Sequence, residues 1–204
     1  MGLLVGFDLD GTLVDSRPQI LAAFAAVAAE TGTRIDPAVV GGRMGLKLED
    51  ELGHWFAPAD VAAAAAAYRR HYRELATRTA PLPGALAALA AVKAAGGDTA
   101  IVTAKHASTV GACLDAAGVA ADTVVSYVHG PEKAAVLRRL GAVAYVGDTP
   151  PDMAAAVTAG AVGVGVATGS FTEVELRAAG AQVTLAALGG FAACLAVLGA
   201  PRQS

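Results

Sequence analysis

Short apolar runs recur along the chain, separated by longer segments with helical periodicity. Each run is nearly continuous instead of alternating with polar residues, which is typical of strands covered on both faces of a sheet. The pattern predicts five such strands, at residues 3–7, 98–103, 123–128, 142–147 and 161–167.

Three segments between these runs have the start and stop residues of helices. Proline and glycine open the first, and glycine follows the end of each. The predicted helices lie between Pro83-Gly84 and Gly96-Gly97, over 108–117 before Gly118, and over 132–140 before Gly141. This β-α alternation predicts an α/β fold, a doubly wound parallel sheet of the Rossmann-like kind with helices on both faces.

One stretch interrupts the alternation. Residues 15–80 contain no convincing strand, and their patterns favour helices throughout. We therefore expect an all-helical cap domain at 15–80, inserted into an α/β core formed by 1–14 and 81–204. Its two crossings, near Val14-Asp15 and near Thr79 to Pro83, would be the hinges.

Composition narrows the classes of partner. Among 204 residues, 16% are charged and the formal net charge is -3, which disfavours a nucleic-acid surface or a polybasic membrane anchor. Hydrophobic residues reach 55%, but the excess is largely alanine, and no apolar run is long enough to span a bilayer. Cys113 and Cys194 lie in apolar patterns typical of buried thiols, and the start lacks the pattern of a signal peptide, so we expect a cytoplasmic protein with a small-molecule partner. Monomer and homodimer both remain open.

Two aspartates directly follow the first predicted strand. In VGFDLDGTLVDS, residues 5–16, Asp8 and Asp10 bracket a leucine. Residues i and i+2 of an extended segment point the same way, so both carboxylates can face one spot beyond the strand's carboxyl end, where open parallel sheets bind ligands. The alternative is structural, because Asp-Gly is a turn signal and Thr12 can serve as a cap.

Further polar residues stand at later strand ends and helix starts. Thr103 closes the second run, and Lys133 lies in the first turn of a helix, where a cation is mildly unfavourable. Asp148 ends another run, and Asp152 follows at the start of the next helix. Singly, each has an ordinary structural explanation, as a β-former, a surface lysine or a helix-start acid. Together they predict a site at one edge of the sheet.

Several carboxylates in one pocket repel each other and need a shared cation. Oxygen ligands without His or Cys favour Mg²⁺. A magnesium cluster with one lysine and one hydroxyl suits a phosphoryl group, whose oxygens need several charge partners. Asp8 would then be the nucleophile that forms an aspartyl-phosphate.

These residues resemble the motifs of the haloacid dehalogenase superfamily of phosphohydrolases. The similarity comprises DLDGT, Thr103, Lys133 and GDTPPD, in this order, with a helical insert after the first motif. It extends over essentially the whole chain and is closest to phosphoglycolate-phosphatase-like members with a helical cap.

The resemblance implies roles for the acidic residues. Asp8 would be the nucleophile and an Mg²⁺ ligand. Asp10 would be the general acid and base, with its backbone carbonyl on the metal. Asp148 would ligate Mg²⁺ directly, whereas Asp152 would ligate through water or orient Lys133.

The resemblance also implies which groups bind the phosphoryl group of a small phosphorylated metabolite. Thr103 would donate a hydrogen bond to it, and Lys133 would neutralise it together with Asp8. Backbone N–H groups would come from Gly11 and Thr12, with another from Ala104.

The same residues discriminate among members of the superfamily. Asp10 disfavours a dehalogenase, which lacks this second aspartate, and a phosphonate-cleaving enzyme. A β-phosphoglucomutase-like mutase, a pyrophosphatase and a catalytically idle binding module remain alternatives. Ala134 stands where a proline usually follows the lysine in the phosphoglycolate group, and TAK at 103–105 replaces the common TNK.

Substrate choice is predicted to depend on the insert. The segment GGRMGLKLED, residues 41–50, combines glycines with Arg43 and Lys47, which would suit an anionic substrate tail. The alternative is a solvated helix start with ordinary surface charges. The sequence does not distinguish phosphoglycolate, pyrophosphate, a sugar phosphate or a nucleotide.

Overall fold

A six-stranded parallel sheet forms the centre of the protein in the computed structural model, which describes residues 2–198. The strands are β1 (Leu4–Phe7), β2 (Val14–Asp15), β3 (Ala80–Pro81), β4 (Asp98–Val102), β5 (Thr123–Val125), β6 (Ala144–Gly147), β7 (Val162–Val166) and β8 (Val183–Leu185). Their order in the sheet is β5-β4-β1-β6-β7-β8, while β2 and β3 form a separate antiparallel pair.

The order in which strands join the sheet reverses at β1. After β1, the chain adds β4 and β5 on one side, then crosses to the other side of β1 and adds β6, β7 and β8. Phe7 at the end of β1 is in register with Ile101 of β4 and Val146 of β6. The carboxyl ends of these three strands therefore lie side by side at the reversal point, where doubly wound sheets bind ligands.

Helices cover both faces of the sheet, which confirms the predicted fold class. The helices are α1 (Arg17–Thr31), α2 (Pro37–Gly42), α3 (Leu48–Leu52), α4 (Val61–Ala76), α5 (Ala85–Ala94), α6 (Ala107–Ala117), α7 (Pro131–Leu140), α8 (Pro150–Ala159), α9 (Glu173–Ala178) and α10 (Phe191–Leu198). Apolar residues of α5, α6 and α10 pack on one face, whereas those of α7 and α8 pack on the other.

The helices α1 to α4 form a segment with a hydrophobic cluster of its own. Phe24 of α1, Leu52 of α3 and Tyr68 of α4 are buried in it. The segment begins after β2 and ends before β3, so the chain enters and leaves it through paired strands. We propose this pair as the boundary between the predicted cap, 15–80, and the core.

Two parts of the sheet differ from the sequence prediction. The run 123–128 is a strand only to Val125, because the following residues fold over the loop after β4. There, Tyr127 has a φ of 64° and its N–H donates to the Lys105 carbonyl. The pattern also does not predict β8, a run of three residues that periodicity alone cannot distinguish from part of a helix.

Among the described residues, no helix combines the length and the apolar character that a bilayer span requires. Cys113 and Cys194 are both buried free thiols, as their apolar patterns predict.

Candidate active site

Three polar residues follow the adjacent strand ends. Asp8 comes directly after β1, Thr103 after β4 and Asp148 after β6, and all three are buried. The register of the strands brings them to one edge of the sheet, as the sequence predicts.

A cluster of three carboxylates lies at this edge. Asp8, Asp148 and Asp152 each offer one oxygen, and these oxygens lie within 4.8 Å of one another. Asp152 is held at the start of α8 by a reciprocal capping arrangement with Thr149. An all-oxygen set of this kind matches the ligand preference of Mg²⁺.

Lys133 is the cationic partner of this cluster. It lies in the first turn of α7, and its Nζ donates to Asp8 Oδ1 at 2.8 Å and to Asp152 Oδ1 at 2.7 Å. Burial by itself lowers the pKa of Lys133, but the two carboxylates outweigh it and raise that pKa well above its ordinary value. Lys133 is therefore a charged residue inside the protein, not a solvated surface lysine.

One lysine does not balance three buried carboxylates. Burial raises the pKa of Asp8 to about 7, an effect that Lys133 opposes and Asp152 reinforces. Burial, followed by the repulsion of Asp8 and Asp152, also raises the pKa of Asp148 well above its ordinary value. The cluster is thus short of positive charge, and a divalent cation would supply it.

Asp10 lies beside this cluster in a different environment. Its carboxylate accepts hydrogen bonds from Ser16 and forms an ion pair with Lys105, whose Nζ is 2.9 Å from Asp10 Oδ1. Lys105 also donates to the Tyr72 hydroxyl at 2.8 Å. The sequence pattern does not indicate this pairing, although Lys105 follows the strand-end Thr103 by only two residues.

The turn after Asp10 corrects one prediction. The Gly11 N–H donates to the Val14 carbonyl at 3.0 Å, and the Thr12 N–H to the Leu9 carbonyl at 3.3 Å. Both groups are therefore used by the turn and are not available to a phosphoryl group in this structure. The Thr12 side chain instead donates to Asp148 Oδ1 at 2.9 Å, so this residue positions a carboxylate.

A glycine that the sequence reasoning missed also positions Asp148. Gly169 follows β7, and a Cβ added to it would overlap Asp148 Oδ2. A Cβ at Gly11 would overlap the same carboxylate oxygen, so Asp148 keeps its position only if neither residue has a side chain. The only signal in the sequence is a glycine just beyond a strand end.

A cleft opens between the sheet edge and the helical segment. Asp8, Asp10, Thr103 and Ala104 line it from the sheet side, and Arg43 lines it from the helical side. The structure thus brings the predicted catalytic residues Asp8, Asp10 and Thr103 to one cleft.

The two cap cations predicted to bind a substrate tail are both engaged elsewhere. Arg43 Nε is 2.7 Å from Glu51 Oε2, and Glu51 is buried. Lys47 is absent from the lining of the cleft in the described structure and lies 2.8 Å from Glu132 Oε2. Neither side chain therefore presents an unpaired positive charge to the site.

A doubly wound α/β sheet with carboxylates and a lysine at its reversal point has the site arrangement of α/β enzymes. The model of the haloacid dehalogenase-like hydrolase family matches residues 3–160, and the chain belongs to that family.

Two relatives agree with this assignment. A protein of Dickeya dadantii described as probable phosphatase IndB is 35% identical over 201 residues, covering 88% of this chain and 87% of the relative. The phosphoglycolate phosphatase of Caulobacter vibrioides is 29% identical over 90% of this chain and 86% of its own length. They confirm the prediction of a hydrolase of the phosphatase class.

A solved structure shows the same fold. A hydrolase from Pseudomonas syringae superimposes with a TM-score of 0.82 at 23% identity, covering 97% of this chain and 99% of that protein. The helical segment is therefore part of an architecture that the whole chain shares with a known protein.

Proposed function

We propose that the protein is an Mg²⁺-dependent phosphatase that hydrolyses a small phosphomonoester through an aspartyl-phosphate, with the chemistry of phosphoglycolate-phosphatase-like members. The observation that carries this proposal is the convergence of Asp8, Asp148, Asp152 and Lys133 at the end of β1. The phosphatase relatives support a phosphorylated small molecule as the substrate.

Asp8 and Asp10 have different roles in the proposed reaction. Asp8 Oδ attacks phosphorus and displaces the leaving oxygen, to which Asp10 gives a proton. Asp10 then removes a proton from the water that hydrolyses the aspartyl-phosphate. The two carboxylates have separate partners, because Asp8 is bound to Lys133 and Asp10 to Ser16 and Lys105.

The remaining residues bind the phosphoryl group and the cation. Thr103 lines the cleft and would donate a hydrogen bond to the phosphoryl group, with Ala104 beside it. Asp8, Asp148 and Asp152 would hold Mg²⁺ with the Asp10 carbonyl, and Asp152 would do so directly or through water. The cation, when bound, would offset the negative charge of the carboxylates and the phosphoryl oxygens.

The test is phosphate release from p-nitrophenyl phosphate, measured with Mg²⁺ and with a chelator. We expect release only with Mg²⁺. Absence of release under both conditions would favour an idle binding module. Transfer of phosphate to another hydroxyl of a sugar phosphate, without release to solution, would indicate a mutase. Release of phosphate from pyrophosphate in preference to esters would indicate a pyrophosphatase.

Mg²⁺ is expected to stabilise the fold in a pH-dependent way. Folded Asp8, with a pKa of about 7, keeps a proton that the unfolded chain has released, so without metal stability falls as pH rises from about 4 to about 7. Mg²⁺ requires the deprotonated acids and opposes this loss. Its addition should raise the melting temperature by about 3 °C or more near pH 8, and much less near pH 5.5.

Thermal melts with magnesium chloride or a chelator, at matched ionic strength, measure this difference. Equal stabilisation at both pH values would contradict the proposed ligands.

Replacing Gly169 is expected to weaken the binding of Mg²⁺ by Asp148. In Gly169→Ala, the new Cβ forces the Asp148 carboxylate away from the Thr12 hydroxyl. The Mg²⁺ concentration for half-maximal phosphate release should rise by about tenfold or more. Gly111→Ala is the matched control, because a Cβ at Gly111 has no neighbour within 4 Å. An unchanged Mg²⁺ dependence in Gly169→Ala would exclude Asp148 as a ligand.

A further inference from the structure

The two walls of the cleft differ in chemistry. The sheet wall carries Asp8, Asp10 and Thr103, whereas most of the helical wall is apolar or aromatic. This apolar wall comprises Ile20, Phe24, Val40, Met44, Leu48 and Tyr68. Its aromatic part is well packed, because the rings of Phe24 and Tyr68 lie 4.9 Å apart and both side chains are buried.

The lysine and arginine side chains that line the cleft are each paired with a carboxylate. Arg43 is paired with Glu51, and Lys105 with Asp10. The third, Arg69, forms an ion pair with Glu49. Within the described residues, the cleft therefore offers no lysine or arginine without an acidic partner.

We propose that the substrate's leaving group is uncharged and largely apolar, and that its apolar moiety is an aromatic ring packed on the apolar wall. The inference rests on the proposed phosphatase function and names its substrate class. Ligand sites commonly combine an apolar wall with a few polar groups that fix orientation, and here the polar groups serve the phosphoryl end.

A second anion on the leaving group is disfavoured by the same contacts. A carboxylate tail would compete for the charge of Arg43 with Glu51, which is buried, lies 2.7 Å from Arg43 Nε and also accepts from the Trp55 indole N–H at 3.0 Å. Separating a buried carboxylate from its cationic partner is costly. Phosphoglycolate, whose leaving group carries a carboxylate, is therefore a poor match for this cleft.

Alkyl phosphates with similar leaving oxygens provide the test. We expect kcat/KM for benzyl phosphate to exceed that for ethyl phosphate, 4-carboxybenzyl phosphate and 2-phosphoglycolate by about tenfold or more. The ethyl ester tests the apolar contact, and the carboxybenzyl ester tests the effect of a negative charge on the same ring.

Two substitutions test whether the apolar wall causes the preference for benzyl phosphate. Phe24→Ala should reduce the benzyl-to-ethyl ratio of kcat/KM by about tenfold, mainly through KM. Met44→Ser should act in the same direction. Because Met44 is a half-buried loop residue, this substitution leaves no cavity in a buried core. Leu86→Ala, on the exposed side of α5, is the control and should leave the ratio unchanged.

A third variant tests the charge pairing. Glu51→Gln keeps an acceptor for Trp55 but leaves Arg43 without its carboxylate. Turnover of 4-carboxybenzyl phosphate relative to benzyl phosphate should rise by about tenfold.

The outcomes separate the two proposals. A wild-type protein that releases phosphate from none of these esters with Mg²⁺ overturns the phosphatase function, and the inference with it. Hydrolysis of 2-phosphoglycolate with a higher kcat/KM than benzyl phosphate overturns the inference and leaves the phosphatase function standing.

Discussion

Asp8→Asn is expected to reduce phosphate release by about a thousandfold or more, because an amide cannot form the aspartyl-phosphate. The fold should survive the change. Burial disfavours the ionised carboxyl and raises the pKa of Asp8 to about 7, so a neutral isostere removes a buried charge near neutral pH. Lys133 keeps Asp152 as its partner. Turnover of p-nitrophenyl phosphate and thermal melting by circular dichroism measure the two effects.

Asp115→Asn is the matched control, because it is the same substitution at an exposed position of α6. It should leave both turnover and melting unchanged. Turnover at the wild-type rate in Asp8→Asn would exclude Asp8 as the nucleophile, whereas a large drop in its melting temperature would show that the charge is needed for the fold.

Lys133→Met is expected to have the largest effect on stability. The buried ammonium is within 2.8 Å of both Asp8 and Asp152, and its loss leaves those carboxylates with no cation in the absence of metal. Removing one partner of a buried ion pair costs about 3–5 kcal/mol. The loss should be smaller near pH 5.5, because Asp8, with a pKa of about 7, then holds a proton and carries no charge.

Urea denaturation at pH 8 and pH 5.5, with a chelator present, measures the free energy of unfolding. Lys93→Met is the control, because Lys93 is also paired with two aspartates, Asp98 and Asp122, but is exposed on α5. Its effect should be much smaller, since solvent screens an exposed pair. Equal losses in the two variants would contradict the view that Lys133 balances a buried cluster.

The fold was predictable because buried parallel strands impose a strong local pattern. Both faces of each strand are covered, so nearly every position is apolar, and glycines stop the connecting helices. The pair β2–β3 follows no such pattern, since each strand has two residues and exists only because distant segments meet. The end of β5 at Val125 likewise depends on contacts of Tyr127 with the loop after β4.

The site was predictable as far as its residues follow strand ends. Asp8, Thr103 and Asp148 do so, and the sheet order determines that they meet. Contacts between side chains from distant segments were not predictable. The pairing of Arg43 with Glu51 and the contact between Gly169 and Asp148 depend on packing in three dimensions, to which periodicity along one segment is insensitive.

The β2–β3 pair has a consequence for how sequences of this architecture can vary. The Leu82 N–H donates to the Leu13 carbonyl at 2.9 Å, so the two ends of the 17–76 segment are adjacent in space. A stretch whose ends coincide can be lengthened, shortened or exchanged with little strain on the rest of the chain. Chimaeras that carry a different helical segment between positions 15 and 80 should thus keep the fold of the central sheet and its helices but have a different substrate specificity.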